Sequence, residues 1–203
     1  MLSSSHDRAV AATASAAFVA GACVARRGRV STLEARWFEA ANGLSHAAYV
    51  PVWMLMQFGS LGGALATGAA LRVSGRPALG DRVAAVGAAT WVAAKAVKPF
   101  VRRGRPAHTV TGVRVRGAEQ SGLGYPSGHA AVSAALAAVV TPCLPRRWRV
   151  PVWAGALAVG PTRSYVGAHL PLDVVGGAAL GIAIGAVARA PAPGAARGVT
   201  RRG

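Results

Sequence analysis

The chain is poor in negative charge. Of its 203 residues only 6 are Asp or Glu, against 23 Lys or Arg, which leaves a formal net charge of +17. That leaves few carboxylates for a magnesium or calcium centre, which relies on them. Cysteine is scarce too. Cys23 and Cys143 both fall in apolar segments without metal-ligand spacing, so neither a disulfide framework nor a zinc site is indicated, and both read as small buried hydrophobes. Charge of either sign makes up only 14% of residues, while 53% are hydrophobic. Ordinary soluble domains carry about 25% charged residues, so that class is excluded.

The basic residues that are present occur in clusters: Arg26, Arg27 and Arg29; Arg102, Arg103 and Arg105; Arg146, Arg147 and Arg149. Long apolar runs lie between them, as in the spans and loops of a membrane protein. A net charge of +17 can mark a nucleic-acid binder, but these arginines punctuate apolar runs and line no single face. No nucleic-acid motif is present, so nucleic acid is not an expected partner. Anionic lipid headgroups and a phosphorylated substrate account for the charge better.

The length predicts one domain, over residues 1–188, followed by a Pro/Ala/Gly/Arg-rich tail, 189–203, with the composition of a disordered segment. Ala9–Ala25 reads as a retained first helix, because arginines follow it directly and no cleavage-site pattern is present. Ser31–His46 predicts an amphipathic interfacial helix, opened by a Ser31/Glu34 capping box. Its apolar Leu33, Trp37, Phe38 and Ala41 lie opposite Glu34 and Arg36. Further helices are expected over Ala47–Leu71, Val83–Val97, Pro126–Leu144, Val150–Thr162 and Val174–Ala188. Gly177, Gly181 and Gly185 recur every four residues in the last of these, a spacing that admits a close neighbour. The fold class is therefore all-α: a polytopic membrane helix bundle of about six transmembrane helices. Six crossings put both termini on one side. Basic residues then divide 11 to 11 between the two sides, or 11 to 8 without three candidate phosphate ligands. By the positive-inside rule this favours a cytoplasmic N-terminus by a narrow margin.

Three motifs fall on the side opposite the termini. The first runs from Lys98 to Arg105-Pro106 and ends the third span. The second, Tyr125-Pro126-Ser127-Gly128-His129, opens the fourth. The third, Thr162-Arg163 followed by His169 and Asp173, joins the last two. Lys98, Arg105 and Arg163 are cations suited to phosphate oxygens, although each alone also fits interfacial snorkelling. Ser127 and Gly128 open a helix whose free N–H groups favour an anion; a plain helix cap explains them equally. His169 and Asp173 are four apart, so the carboxylate can hold one imidazole nitrogen and free the other as a nucleophile. A purely structural His–Asp pair is the plainer alternative. No second carboxylate is near these motifs in sequence, so no metal and no cofactor are expected. Arg102 and Arg103 read either as lipid contacts or as ligands for a second phosphate.

Lysine, six residues, Arg-Pro; then Pro-Ser-Gly-His; then arginine, five residues, histidine, three residues, aspartate: this ordered set resembles the type 2 phosphatidic acid phosphatase (PAP2) superfamily, which also holds vanadium-dependent haloperoxidases and glucose-6-phosphatase. It covers Lys98 to Asp173, with Thr162 where the family pattern has serine. The resemblance implies that His169 attacks phosphorus, Asp173 orients it and His129 protonates the leaving oxygen. Lys98, Arg105, Arg163, Ser127 and the Gly128 N–H would bind the phosphate. The expected partner is a lipid phosphate or diphosphate in the bilayer: a polyprenyl diphosphate, phosphatidate or phosphatidylglycerophosphate. The Ala/Gly/Arg-rich composition is associated with high-GC bacteria, hence an expected place in a bacterial cell membrane with the site on the extracytoplasmic face. Oligomeric state is left open. The competing readings are a haloperoxidase-like enzyme and a non-catalytic scaffold with a decayed site. The chain's apolar spans weigh against the first, and the completeness of the charged set weighs against the second.

Overall fold

The structure, a computed structural model, describes residues 4–189. The tail expected to be disordered lies outside the described residues apart from Arg189, which is helical and pairs with Asp7 at 2.9 Å. Eight α-helices and no strand form among the described residues: α1 Ser4–Ala25, α2 Thr32–Asn42, α3 Tyr49–Met56, α4 Leu61–Val73, α5 Pro77–Val101, α6 Gly128–Val140, α7 Arg146–Tyr165 and α8 Pro171–Arg189.

By length and composition, α1 and α8 each suffice to cross a membrane; α3 and α4, joined through a short 3-10 turn and bent by 69°, form a third candidate. The single span expected over Ala47–Leu71 is therefore broken. Ser60 causes the break: in extended conformation, its hydroxyl accepts from the Gly63 N–H at 2.8 Å and donates to the Gln57 carbonyl. It stops one helix and caps the next. Other helices exceed their expected lengths, α5 and α7 among them. The Arg72–Arg82 stretch, read as a turn, is helical from Pro77, where proline suits the first turn, and α7 absorbs the basic residues 146–149.

Small residues bring α8 onto α6. A Cβ at Gly181 would overlap the carbonyl oxygen of Ala131, and one at Gly177 that of Ser127. The predicted glycine row thus meets its neighbour, and α1 and α5 flank the pair. Val83, Val86, Val132, Ala135, Leu136 and Val139 fill the core between α5 and α6. Cys23 and Cys143, expected inside, are exposed, since an apolar helix of a membrane protein can turn one face to lipid.

The largest departure concerns α2. Glu34, Phe38 and Asn42 form its buried stripe, whereas Leu33 and Trp37 are about two-thirds exposed. The helix is amphipathic, but Glu34 points inward while Glu39 stays exposed. At its far end the Asn42 amide donates to the carbonyls of Arg114, Ser164 and Tyr165 and accepts from the Arg114 N–H. These bonds fasten α2 to both the long 102–127 connection and the end of α7.

Candidate active site

The end of α5, the start of α6, the end of α7 and the start of α8 meet at one end of the bundle. The C-terminus of α1 joins them there, with Ala25 packing against Val101 and Tyr125. The meeting of these four helix ends is the one read from the sequence. The Tyr125 ring stacks on Phe18 and its hydroxyl donates to the Phe18 carbonyl at 2.8 Å, so burial raises its pKa above the ordinary value.

His169 lies in the short turn between α7 and α8, because α8 begins at Pro171. Its N–H donates to the Arg163 carbonyl and its own carbonyl accepts from the Ser164 hydroxyl at 3.0 Å. Its Nδ1 stands 3.5 Å from Asp173 Oδ2. That is a polar approach longer than a good hydrogen bond, and Nδ1 has no other partner. Burial pushes the His169 imidazole down to about 4, against the opposing pull of Asp173. The ring is therefore neutral near pH 7, as a nitrogen nucleophile must be.

Asp173 is fully buried. Its Oδ2 accepts from the Leu170 N–H at 3.0 Å, and its backbone carbonyl accepts from the Ser127 N–H at 2.8 Å. The second contact ties the starts of α6 and α8 together. Ser127 is fully buried, and its hydroxyl has no partner. A buried hydroxyl left unpaired is costly and is ready to donate to an incoming oxygen. A Cβ at Gly128 would meet only Ala94, at 4.0 Å, so open space lies beside this helix N-terminus. His129 is half-buried in the first turn of α6.

The three expected phosphate cations are all present, and each also touches protein. Lys98 Nζ donates to the carbonyls of Leu123, Gly124 and Pro126 at 2.8, 3.0 and 3.1 Å, so it also shapes the loop ahead of Ser127. Arg105 donates from Nε to Ser121 and from Nη1 to Ala168; burial lowers its pKa from the ordinary arginine value, with Asp173 opposing. Arg163 is buried, its Nη1 lies 3.0 Å from the Met56 sulfur, and its Nε is unpaired. Thr162 returns its hydroxyl to the Val159 carbonyl at 2.6 Å, a bond within its own helix.

Two residues reach the site that sequence reading placed elsewhere. Arg103, read as a lipid or second-phosphate ligand, is 1% exposed. It bonds Asp173 Oδ1 at 2.9 Å and grips both carboxylate oxygens of Glu34, at 2.9 and 2.7 Å. Burial works against its charge, but the bonds with Glu34 and the nearby Asp173 outweigh it and raise its pKa above the ordinary value. Glu34 is thus the second carboxylate that the sequence reading found missing. Half of the expected capping box holds, with Ser31 Oγ accepting from the Glu34 N–H at 3.2 Å; the Glu34 side chain turns inward and also accepts from the Leu172 N–H. The only sequence signal was an acidic residue in a chain with six. Among the described residues no three His, Cys, Asp or Glu side chains converge as metal ligands.

The family model described as the PAP2 superfamily matches residues 79–192. No curated protein matches the chain. Among solved structures, the crystal structure of Aquifex aeolicus LpxE aligns with a TM-score of 0.67 at 23% identity, covering 78% of this chain and 95% of that one. The crystal structure of the first transmembrane PAP2 type phosphatidylglycerolphosphate phosphatase, from Bacillus subtilis, aligns with a TM-score of 0.71 at 18% identity, covering 88% and 94%. At these identities the likeness is one of fold.

Proposed function

The chain belongs to the PAP2 superfamily, and on that premise we propose that it is an integral membrane phosphatase. It hydrolyses a lipid phosphate or diphosphate through a phosphohistidine on His169, without a metal. The observation that carries this reading is the convergence of Lys98, Arg105, Ser127, Gly128, His129, Arg163, His169 and Asp173 at one bundle end. Within that cluster an unpaired Ser127 hydroxyl and a neutral His169 are already in place.

In the proposed reaction the three cations, the Ser127 hydroxyl and the Gly128 N–H hold the phosphoryl oxygens and offset charge growing in the transition state. Asp173 holds the Nδ1 side of His169, and the Nε2 lone pair attacks phosphorus. The bound phosphate anion favours the imidazolium form of His129, and the phosphorus–oxygen ester bond breaks as His129 gives that proton to the leaving oxygen. His129 then takes a proton from water, whose oxygen attacks the phosphohistidine. The nitrogen–phosphorus bond breaks, its electron pair returns to His169, and inorganic phosphate leaves. The lipid tail stays in the bilayer beside a site built at helix ends. The site faces the extracytoplasmic side if the N-terminus is cytoplasmic, as the basic-residue balance favours.

A phosphate-release panel tests the reading: phosphatidylglycerophosphate, phosphatidate, a polyprenyl monophosphate and a polyprenyl diphosphate, offered to purified protein in detergent with and without EDTA. The name of the Bacillus subtilis neighbour puts the first lipid at the head of the panel. Turnover of at least one member, unaffected by EDTA, is expected. No turnover of any member contradicts the proposal.

A further inference from the structure

Arg103 is one of the most deeply buried groups in the molecule, and the proposed reaction does not use it. It sits between two carboxylates from helices far apart in sequence. On one side it makes a two-point grip on Glu34 of α2; on the other its Nη1 bonds Asp173 Oδ1 of α8. Glu34 Oε1 continues the chain to the Leu172 N–H at 2.9 Å, in the first turn of α8. Glu34, Arg103 and Asp173 are each at most 9% exposed.

We infer that Glu34 and Arg103 are a positioning pair for the reaction at His169, acting through Asp173. The inference rests on the proposed role of His169. Asp173 has two oxygens, and the pair occupies one of them: with Oδ1 held by Arg103, Oδ2 is left to the Leu170 N–H and to His169. A carboxylate held on both oxygens cannot rotate, so the imidazole beside it keeps one orientation. The two-point Glu34 contact fixes the plane of the guanidinium, which a lysine could not reproduce. A tie that served only to dock α2 on α8 would need Glu34 and the Leu172 N–H alone. Here the tie runs through the one carboxylate that approaches the nucleophile. Gly124 closes the arrangement from the other side, where a Cβ would stand 2.9 Å from Asp173 Oδ2.

The charge of Arg103 has a second consequence. Around Asp173 and His169 stand Lys98 of α5, Arg105 of the connecting loop, His129 of α6, Arg163 of α7 and Glu34 of α2. Arg103 is the cation bonded to the Asp173 carboxylate itself. Removing it leaves the whole negative charge of Asp173 acting on His169, which favours the imidazolium. The acid limb of kcat/KM then moves to higher pH, by roughly one unit.

The test compares full-length wild type with Glu34→Gln, Arg103→Gln, Arg103→Lys and His169→Ala, on the lipid phosphate that wild type turns over fastest in the panel above. Glu34→Gln and Arg103→Gln are expected to lower kcat by roughly 10²-fold, with KM within about twofold, a difference of little weight beside that loss. Arg103→Gln should also show the upward shift of the acid limb. Arg103→Lys should restore the wild-type acid limb, because it keeps the charge, but recover little of kcat, because it lacks the fork. Thermal melting in detergent checks folding, and Glu34→Gln with Arg103→Lys carry the test if Arg103→Gln does not fold. Unchanged kcat in these variants, losses that track only the melting temperature, or an unmoved acid limb in a folded Arg103→Gln overturn the inference. Retained activity in His169→Ala instead removes the reading on which it rests.

Discussion

Helices α6 and α8 do opposite things at their two levels. At their N-terminal ends they carry Ser127, His129 and Asp173, with His169 just ahead of α8, and four other segments bring charge to them. One to three turns further along, the same helices are a seam of Ala131, Ala135, Gly181 and Gly185, with backbone against backbone. The polar end leaves donors unpaired, at Ser127 Oγ, Arg163 Nε and His169 Nδ1. The seam has no side-chain room to spare. One pair of helices can therefore keep a reactive, partly unsatisfied site because its close-packed stretch fixes their separation below it.

Substitutions can break this division. His169→Ala is expected to have the largest effect, taking phosphate release to background while the melting temperature in detergent barely moves. Turnover in that variant would remove the histidine nucleophile. His129→Ala should follow, slowing release by about 10² to 10⁴-fold, with partial recovery for a lipid analogue carrying a good leaving group such as nitrophenol. Ser127→Ala removes one donor to the phosphoryl oxygens and is expected to lower kcat by about 10²-fold; steady-state kinetics with an unchanged fold check it. Gly181→Leu belongs to the seam, where the added side chain would run into the backbone of Ala131 and Ala135. It should cost about 1–3 kcal/mol, seen as a lower melting temperature, and should reduce activity only as folded protein is lost. Arg146→Ala, exposed at the opposite end of the bundle, should change stability by less than about 0.5 kcal/mol and turnover not at all. A large kinetic effect there would place part of the chemistry outside the polar end.

What the sequence made legible follows the same division. Motifs with fixed spacing survive translation into structure, because Lys98, Ser127 and Asp173 lie at helix ends that the apolar runs already mark. The glycine row of α8 was readable for a similar reason: a four-residue period has one meaning on a helix. Two things were hidden. The break at Ser60 lay inside a run that is apolar on both sides, where one capping hydroxyl outweighs the run's uniform hydropathy. Polarity alone puts Glu34 on the wrong face of α2. In lipid the outward side of a helix can be the apolar one, so Leu33 and Trp37 face out while the acidic residue turns inward to Arg103, 69 residues away. Pairing over that sequence distance leaves no local pattern.

The most direct measurement traps the covalent intermediate. The protein is mixed with lipid carrying ³²P in the scissile phosphate and quenched within milliseconds into alkali, where a phosphohistidine survives, and the labelled peptides are then sequenced. The label should fall on His169, disappear on brief acid treatment and be absent from His169→Ala. Full phosphate release with no label on the protein, or a label on another residue, would contradict the account.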